Sequence, residues 1–335
     1  MPYRKRMKRT YPLCVAGVFG LFLMSQFPTR ACLWDSETLA AEVARLPEAV
    51  KIMTGNFPRH SKAFYEWRVR TTTGKLAKAA HLVPLYDDLA VAQHKLGDHK
   101  AAIATMMAKE KIKPGHYETY SNLGTFYIYT DELPAALSWI DKALAINSNA
   151  HFGREKYQKW LVEWSQQEKT AQERKGNFFE ADDGFAEYVI EQHLKKEKNR
   201  DPLNSPNWVQ TRITEATTGL LGMMRFADFD NPLLQEALGD ILIYGNFKQN
   251  AYHLAAQAYQ IGLMKSPADP ASKRLTNKLS GAATQAQWPL PEVEANVKKE
   301  LLKGEQLFQA VAADEALWIS QGKDASALFM SKYFK

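Results

Sequence analysis

Two segments of this chain repeat one another at a spacing of 34 residues. Tyr86, Leu89, Ala90, Ala102 and Pro114 in the first correspond to Tyr120, Leu123, Gly124, Ala136 and Ser148 in the second. A period of this length fits one helix–turn–helix unit. Such a unit has too little apolar surface to be stable alone, so it has to stack on neighbours.

The two units are 83–116 and 117–150. In the first, helix A carries Tyr86, Leu89, Ala90 and Leu96, and Gly97-Asp98 turns the chain. Helix B carries Ala101, Ala102, Ile103 and Met106, and Pro114 closes the unit. In the second, helix A carries Tyr120, Leu123, Gly124 and Tyr127. Pro134 then opens a helix B with Ala136, Trp139, Ile140, Ala143, Leu144 and Ile146. The small residues Ala90 and Ala102 mark a crossing too close for a larger side chain.

This pattern, with the run ALAINSNA at 143–150, resembles the tetratricopeptide repeat (TPR) family. The resemblance implies an all-α fold, a right-handed α-solenoid of helical hairpins whose concave groove binds other chains. In that family, contacts come mainly from the inner face of helix A. By alignment, that face holds Asp87, Val91 and His94 in the first unit and Ser121, Asn122, Thr125 and Tyr129 in the second, with Glu155, Lys156 and Lys159 added by the next helix. Some members clamp a terminal carboxylate. Asn122 and Lys156 fit that clamp, but Asp87 and Val91 stand where Lys and Asn are required, so a carboxylate clamp is not expected.

The flanking sequence extends the helical reading. A helix is expected from Asp35 or Ser36 to Leu46 and another from Ser61 to Ala80, within an N-terminal region 32–82. The TPR core runs over 83–175, ending in a helix from His151 to about Gln167. An irregular helical segment, 176–231, follows, with helices over 184–196 and 209–226. Residues 232–267 read as a degenerate hairpin. In the C-terminal region 268–335, residues 265–290 look partly loop-like, and a final helix from Val293 to Gln321 is expected to break near Gly304. No stretch shows sustained strand alternation.

The chain has a formal charge of +6, but that charge is local. Arg4, Lys5, Arg6, Lys8, Arg9 and Arg30 lie in residues 1–31, which contain no acid; the remainder carries equal numbers of basic and acidic residues. No global basic field is left to hold nucleic acid. The charged start, the apolar run Leu13–Met24 and the small residues Thr29 and Ala31 read as a signal peptide over 1–31, an uncleaved anchor being the alternative. The run is too short for a typical membrane span. Cys32 is then either a lipidated first residue or simply the first residue, and membrane attachment is expected only through it. With Cys14 removed, it is the one remaining thiol, and no internal disulfide can form.

The usual catalytic motifs are missing, and no cofactor or metal is expected. HFGREKYQ at 151–158 could line the groove, or form a capped first turn with Phe152 and Tyr157 buried and its charges solvated; the second reading is preferred. Asp228-Phe229-Asp230-Asn231 spaces acids as a calcium loop does, but Gly239 stands where the closing acid is needed, so an exposed turn is expected. Glu180, Asp182 and Asp183 read as an acidic helix start. CLWDSETLA at the expected mature start, HFGREKYQ and MMRFADFDNPLLQEALGD also resemble exported bacterial repeat proteins, a resemblance that brings no activity with it. The expectation is a non-enzymatic scaffold for a protein or peptide partner in the periplasm, either free or anchored to the outer membrane. The alternatives are a metal- or small-molecule-binding enzyme with its site in the irregular middle, and a structural subunit of an envelope complex.

Overall fold

The computed structural model describes residues 47–148, 153–175, 184–197, 201–226, 228–244, 249–266 and 270–333. Residues 1–46, with the expected signal peptide, Cys32 and the first expected helix, lie outside these, as do His151, Phe152, Glu180, Asp182, Asp183 and Phe334. Every regular element among the described residues is helical.

The helices are α1 (Pro47–Met53), α2 (Lys62–Lys78), α3 (Pro84–Lys95), α4 (His99–Ile112), α5 (Tyr117–Tyr129), α6 (Leu133–Ile146) and α7 (Arg154–Lys175). They continue as α8 (Phe185–Lys196), α9 (Pro206–Phe226), α10 (Pro232–Tyr244), α11 (Gln249–Lys265) and α12 (Pro270–Ala286). The last two are α13 (Leu290–Ser320) and α14 (Ala325–Tyr333). A short 3₁₀ turn, Pro202–Asn204, precedes α9.

Local chemistry sets these boundaries. Ser61 and Asp98 cap α2 and α4, their side-chain oxygens accepting from the backbone N–H of Phe64 and Ala101. Asn231 Oδ1 accepts from Leu233 and Leu234 N at the start of α10. Gly97 turns between α3 and α4 at φ +86°, where glycine is favoured.

Consecutive helices pack on one another from α2 to α7, and α3 also touches α5. Ala90, Ala102 and Ala136 are fully buried at these crossings. A Cβ added at Gly124 would meet Ile140 at 2.5 Å; one added at Gly239 would meet the Tyr259 ring at 2.3 Å. The α3–α5 region has its own apolar cluster, Ala90, Ala102, Met106, Leu123 and Phe126. A larger cluster draws on α1 and α7–α13.

Two expectations in the C-terminal region are corrected. Residues 270–286 form helix α12, not a loop: Leu275, Leu279, Ala282, Ala283 and Ala286 make one buried stripe at helical spacing. Helix α13 does not break at Gly304. Val293, Val297, Gly304, Val311 and Glu315 form its buried line, and Gly304 is where it touches the turn after α1. A Cβ there would stand 2.3 Å from the Thr54 carbonyl oxygen.

Helix α13 also packs on α2. The buried Glu315 carboxylate accepts from the Ser61 backbone N–H at 2.8 Å, and its other oxygen lies 2.6 Å from His60 Nδ1. The His60 ring lies 3.6 Å from Phe64 and 3.8 Å from Phe329. A residue near the end of the chain therefore completes the capping of the α2 N-terminus.

Gly304→Ala is expected to destabilise the chain by about 2 kcal/mol or more, because backbone rather than a movable side chain opposes it. Gly281→Ala, in α12 with nothing within 4 Å, is expected to stabilise by about 0.5–1 kcal/mol. Urea unfolding of the pair checks both, and equal midpoints would contradict the packing described.

Candidate functional site

The residues expected on the helix A face lie on α3, α5 and α7, and the structure joins most of them across the helices. Ser121 Oγ on α5 donates to Glu155 Oε1 on α7 at 3.1 Å, a pair 34 positions apart. Beside it, Gln158 Nε2 donates to Thr125 Oγ1 at 3.1 Å. Asn122 Nδ2 lies 3.5 Å from Asp87 Oδ1 on α3. The sequence period thus reappears as contact between equivalent places in successive units.

Asp87 is held from the other side by Lys109 on α4, whose buried Nζ donates to both carboxylate oxygens, at 2.7 and 2.6 Å. Burial raises the Asp87 carboxyl above its ordinary value despite Lys109, so desolvation outweighs the attraction of the pair. Lys109 adds a second reason against a carboxylate clamp: the acid there is already engaged.

At the C-terminal ends of α3 and α5, His94 stacks on Phe126 at 4.7 Å and meets Tyr129 edge-on at 4.6 Å. Its Nδ1 lies 3.0 Å from His99 Nδ1, so one ring donates to the other. Tyr129 donates to Asp228 Oδ2 at 2.8 Å, across 99 residues. Burial and that carboxylate raise the Tyr129 hydroxyl well above its ordinary value, which keeps it a neutral donor. Val91 is half-buried beside Ala90 and Ala92.

Helix α7 supplies the rest. Glu155 is 1% exposed and also accepts from Arg154 at 3.1 Å. This corrects the expectation that the charges of 151–158 are all solvated, since Glu155 is buried against Ser121 of α5. Tyr157 is fully buried. Lys156 lies 3.7 Å from Glu215 on α9, and Lys159 pairs with Asp141 on α6 at 2.5 Å.

The segment 228–231 does more than turn the chain. Asp228 takes the Tyr129 proton donor, and Asp230 pairs with Lys265 at 2.7 Å. Phe229 packs over Gly55, and Arg59 lies 4.5 Å from its ring and 4.8 Å from that of Phe308. Among the described residues no three of His, Cys, Asp and Glu gather as metal ligands would. No described helix is long and apolar enough to cross a membrane.

Sequence reasoning missed a buried ionic cluster between α10 and α12. Arg274 donates to both oxygens of Glu236, at 2.5 and 2.6 Å, and Lys278 bridges Glu236 and Asp240. Asp240 also accepts from Tyr259 and from the Phe185 backbone N–H. Burial opposes the charge on Glu236, but Lys278 and Arg274 together hold its carboxyl below the ordinary value. The available signal was two acids four apart in an otherwise apolar helix and two cations four apart in the next.

No protein-family model matches the chain, and no curated protein matches it.

Stability should fall in mild acid. Burial, with Lys95 and His99 nearby, pushes the His94 imidazole down to about 3. Burial, with Lys156, Arg212 and Lys196 nearby, does the same to His193 on α8. Both stay neutral when folded, whereas an unfolded imidazole protonates near 6.5. The unfolded chain therefore binds more protons below that value, and stability is lost as pH falls from about 6.5 towards 3. At pH 5 the loss is about 2 kcal/mol for each histidine. Urea midpoints at pH 7.5 and 5 check this, and equal midpoints would contradict both environments.

Proposed function

We propose that this protein is a non-enzymatic helical-repeat scaffold of the TPR type, built as a solenoid of hairpins, which presents the helix A face of α3, α5 and α7 to a segment of a partner protein. The observation carrying this reading is the contact between Ser121 and Glu155, 34 residues apart. It ties the sequence period to a translation in space, as expected of stacked units.

The same polar ladder bears on what such a face would bind. Asp87 with Asn122, Ser121 with Glu155 and Thr125 with Gln158 hold one another in place, so little rotamer freedom is left to lose on binding. The accessible part is polar and aromatic, with Tyr129 and His99 over the buried His94 at one end and Lys156 and Lys159 at the other. It suits an extended or helical peptide with mixed polar and apolar side chains better than a strongly acidic tail.

The cell-envelope location rests on residues 1–31 and on Cys32. Mass analysis of the mature chain from cells is expected to give a start at Cys32, with added acyl mass if the protein is anchored. An intact Met1 start would remove the periplasmic assignment.

A photo-crosslinking residue placed at Val91 or Thr125 is expected to capture one defined protein in the native cell. The same residue at the exposed Lys273 of α12 is not. Equal capture at all three positions, or none at Val91 and Thr125, would refute the helix A face as the contact surface.

A further inference from the structure

Helices α7, α8 and α9 meet around His193, which is 5% exposed. Its ring stands perpendicular to Trp160 at 5.0 Å and to Trp208 at 6.2 Å, with Tyr157 at 6.4 Å. His193 Nε2 is buried and has no hydrogen-bond partner among the described residues. Ring-face contacts with tryptophan return only part of what a lost hydrogen bond costs.

A second buried polar atom nearby is in the same position. Arg212 on α9 places its two terminal nitrogens on Glu215, at 2.8 Å, and Glu197, at 3.2 Å. Its Nε–H, a donor that can only donate, has no acceptor among the described residues.

The charges around these atoms are unbalanced. Lys156 Nζ lies 4.5 Å from the Tyr157 ring centre and 5.5 Å from that of Trp160. Lys196 Nζ lies 5.5 Å from the Trp160 ring centre, and Arg212 5.7 Å from that of Trp208. Three cations therefore converge on the aromatic walls, against the carboxylates Glu215 and Glu197. Those two are already used: Glu215 accepts from Tyr157 and Arg212, and Glu197 accepts from Trp208 Nε1 at 2.8 Å. Burial lowers the Lys156 ammonium, and Arg212 and Lys196 add to the effect against Glu215. The charged groups acting on His193 are Lys156, Arg212 and Lys196, all cationic. Trp208 sits in the first turn of α9, whose dipole adds positive potential. The C-terminal carbonyls of α8 act the other way, and Lys196 in its last turn offsets them.

We propose that the junction of α7, α8 and α9 binds a small oxyanion group, phosphoryl or carboxylate, through Lys156, Lys196 and Arg212, with His193 Nε2–H and Arg212 Nε–H as its buried donors. An oxyanion supplies both of the things this place lacks, negative charge and acceptor oxygens. Lys196 is exposed, whereas the rings of Tyr157, Trp160 and Trp208 are buried, which lowers the dielectric on the inner side. The proposal does not depend on peptide binding at the helix A face.

The test is a titration of the full chain with inorganic phosphate, and separately with acetate, at constant ionic strength made up with chloride. The readout is the histidine side-chain nitrogen spectrum, with His193 assigned by its loss in His193→Phe. A saturable shift of the His193 signals is expected. Saturation by phosphate alone identifies a phosphoryl site, by acetate alone a carboxylate site, and by both a shared one. Lys196→Gln, at an exposed position, and Arg212→Gln are each expected to weaken binding by roughly tenfold, while Lys273→Gln leaves it unchanged. If Arg212→Gln does not fold, Lys196→Gln decides. No saturable response to either anion overturns the proposal, as does affinity in Lys196→Gln equal to that of the unaltered chain.

Discussion

Close backbone approach is the constraint on which the rest of this structure depends. At Gly124 and Gly239 the space a β-carbon would take is filled by a side chain of the next helix, Ile140 and Tyr259. At Gly304 it is filled by a carbonyl oxygen. The fully buried Ala90, Ala102 and Ala136 mark related crossings. With helices this close, the remaining side chains interlock at near-crystalline density. The polar ladder of α3, α5 and α7 can form only because the units have already been brought together in this way.

Much of the fold was legible because it is written locally. The apolar pattern of each unit and the turn at Gly97-Asp98 depend on residues within one or two turns of one another. The 270–286 segment was misread because Lys273, Thr276, Asn277, Ser280 and Thr284 lie on its exposed side and mask the stripe from Leu275 to Ala286. Gly304 was read as a break on propensity alone, whereas its place against Thr54 is a tertiary fact. The site followed the same division. That Asp87, Asn122, Ser121 and Thr125 share a face could be read from the period. That Lys109, Glu155 and Gln158 pair with Asp87, Ser121 and Thr125, and Asp228 with Tyr129, could not, since each pairing spans 22 residues or more.

Two charged regions show how differently burial can be met. Between α10 and α12, Glu236 and Asp240 face Arg274 and Lys278, and acids and bases answer each other within one cluster. Around His193 the cations exceed the acids, and two buried polar atoms lack hydrogen-bond partners among the described residues. A cluster of the first kind needs nothing further to be stable. One of the second kind retains an electrostatic cost that folding alone does not remove, which is what separates a scaffold from a site.

The Glu315 contact with Ser61 and His60 has a consequence for how the chain is made. The two ends of that hydrogen bond are 254 residues apart. The repeat hairpins can close as soon as their own residues emerge, because their contacts are short in sequence. The first turn of α2 must wait for a residue 254 positions further on. At about 5–20 residues per second, that delay is on the order of tens of seconds during synthesis. The nascent chain therefore carries an incompletely capped α2 until α13 arrives, so a late helix completes an early one.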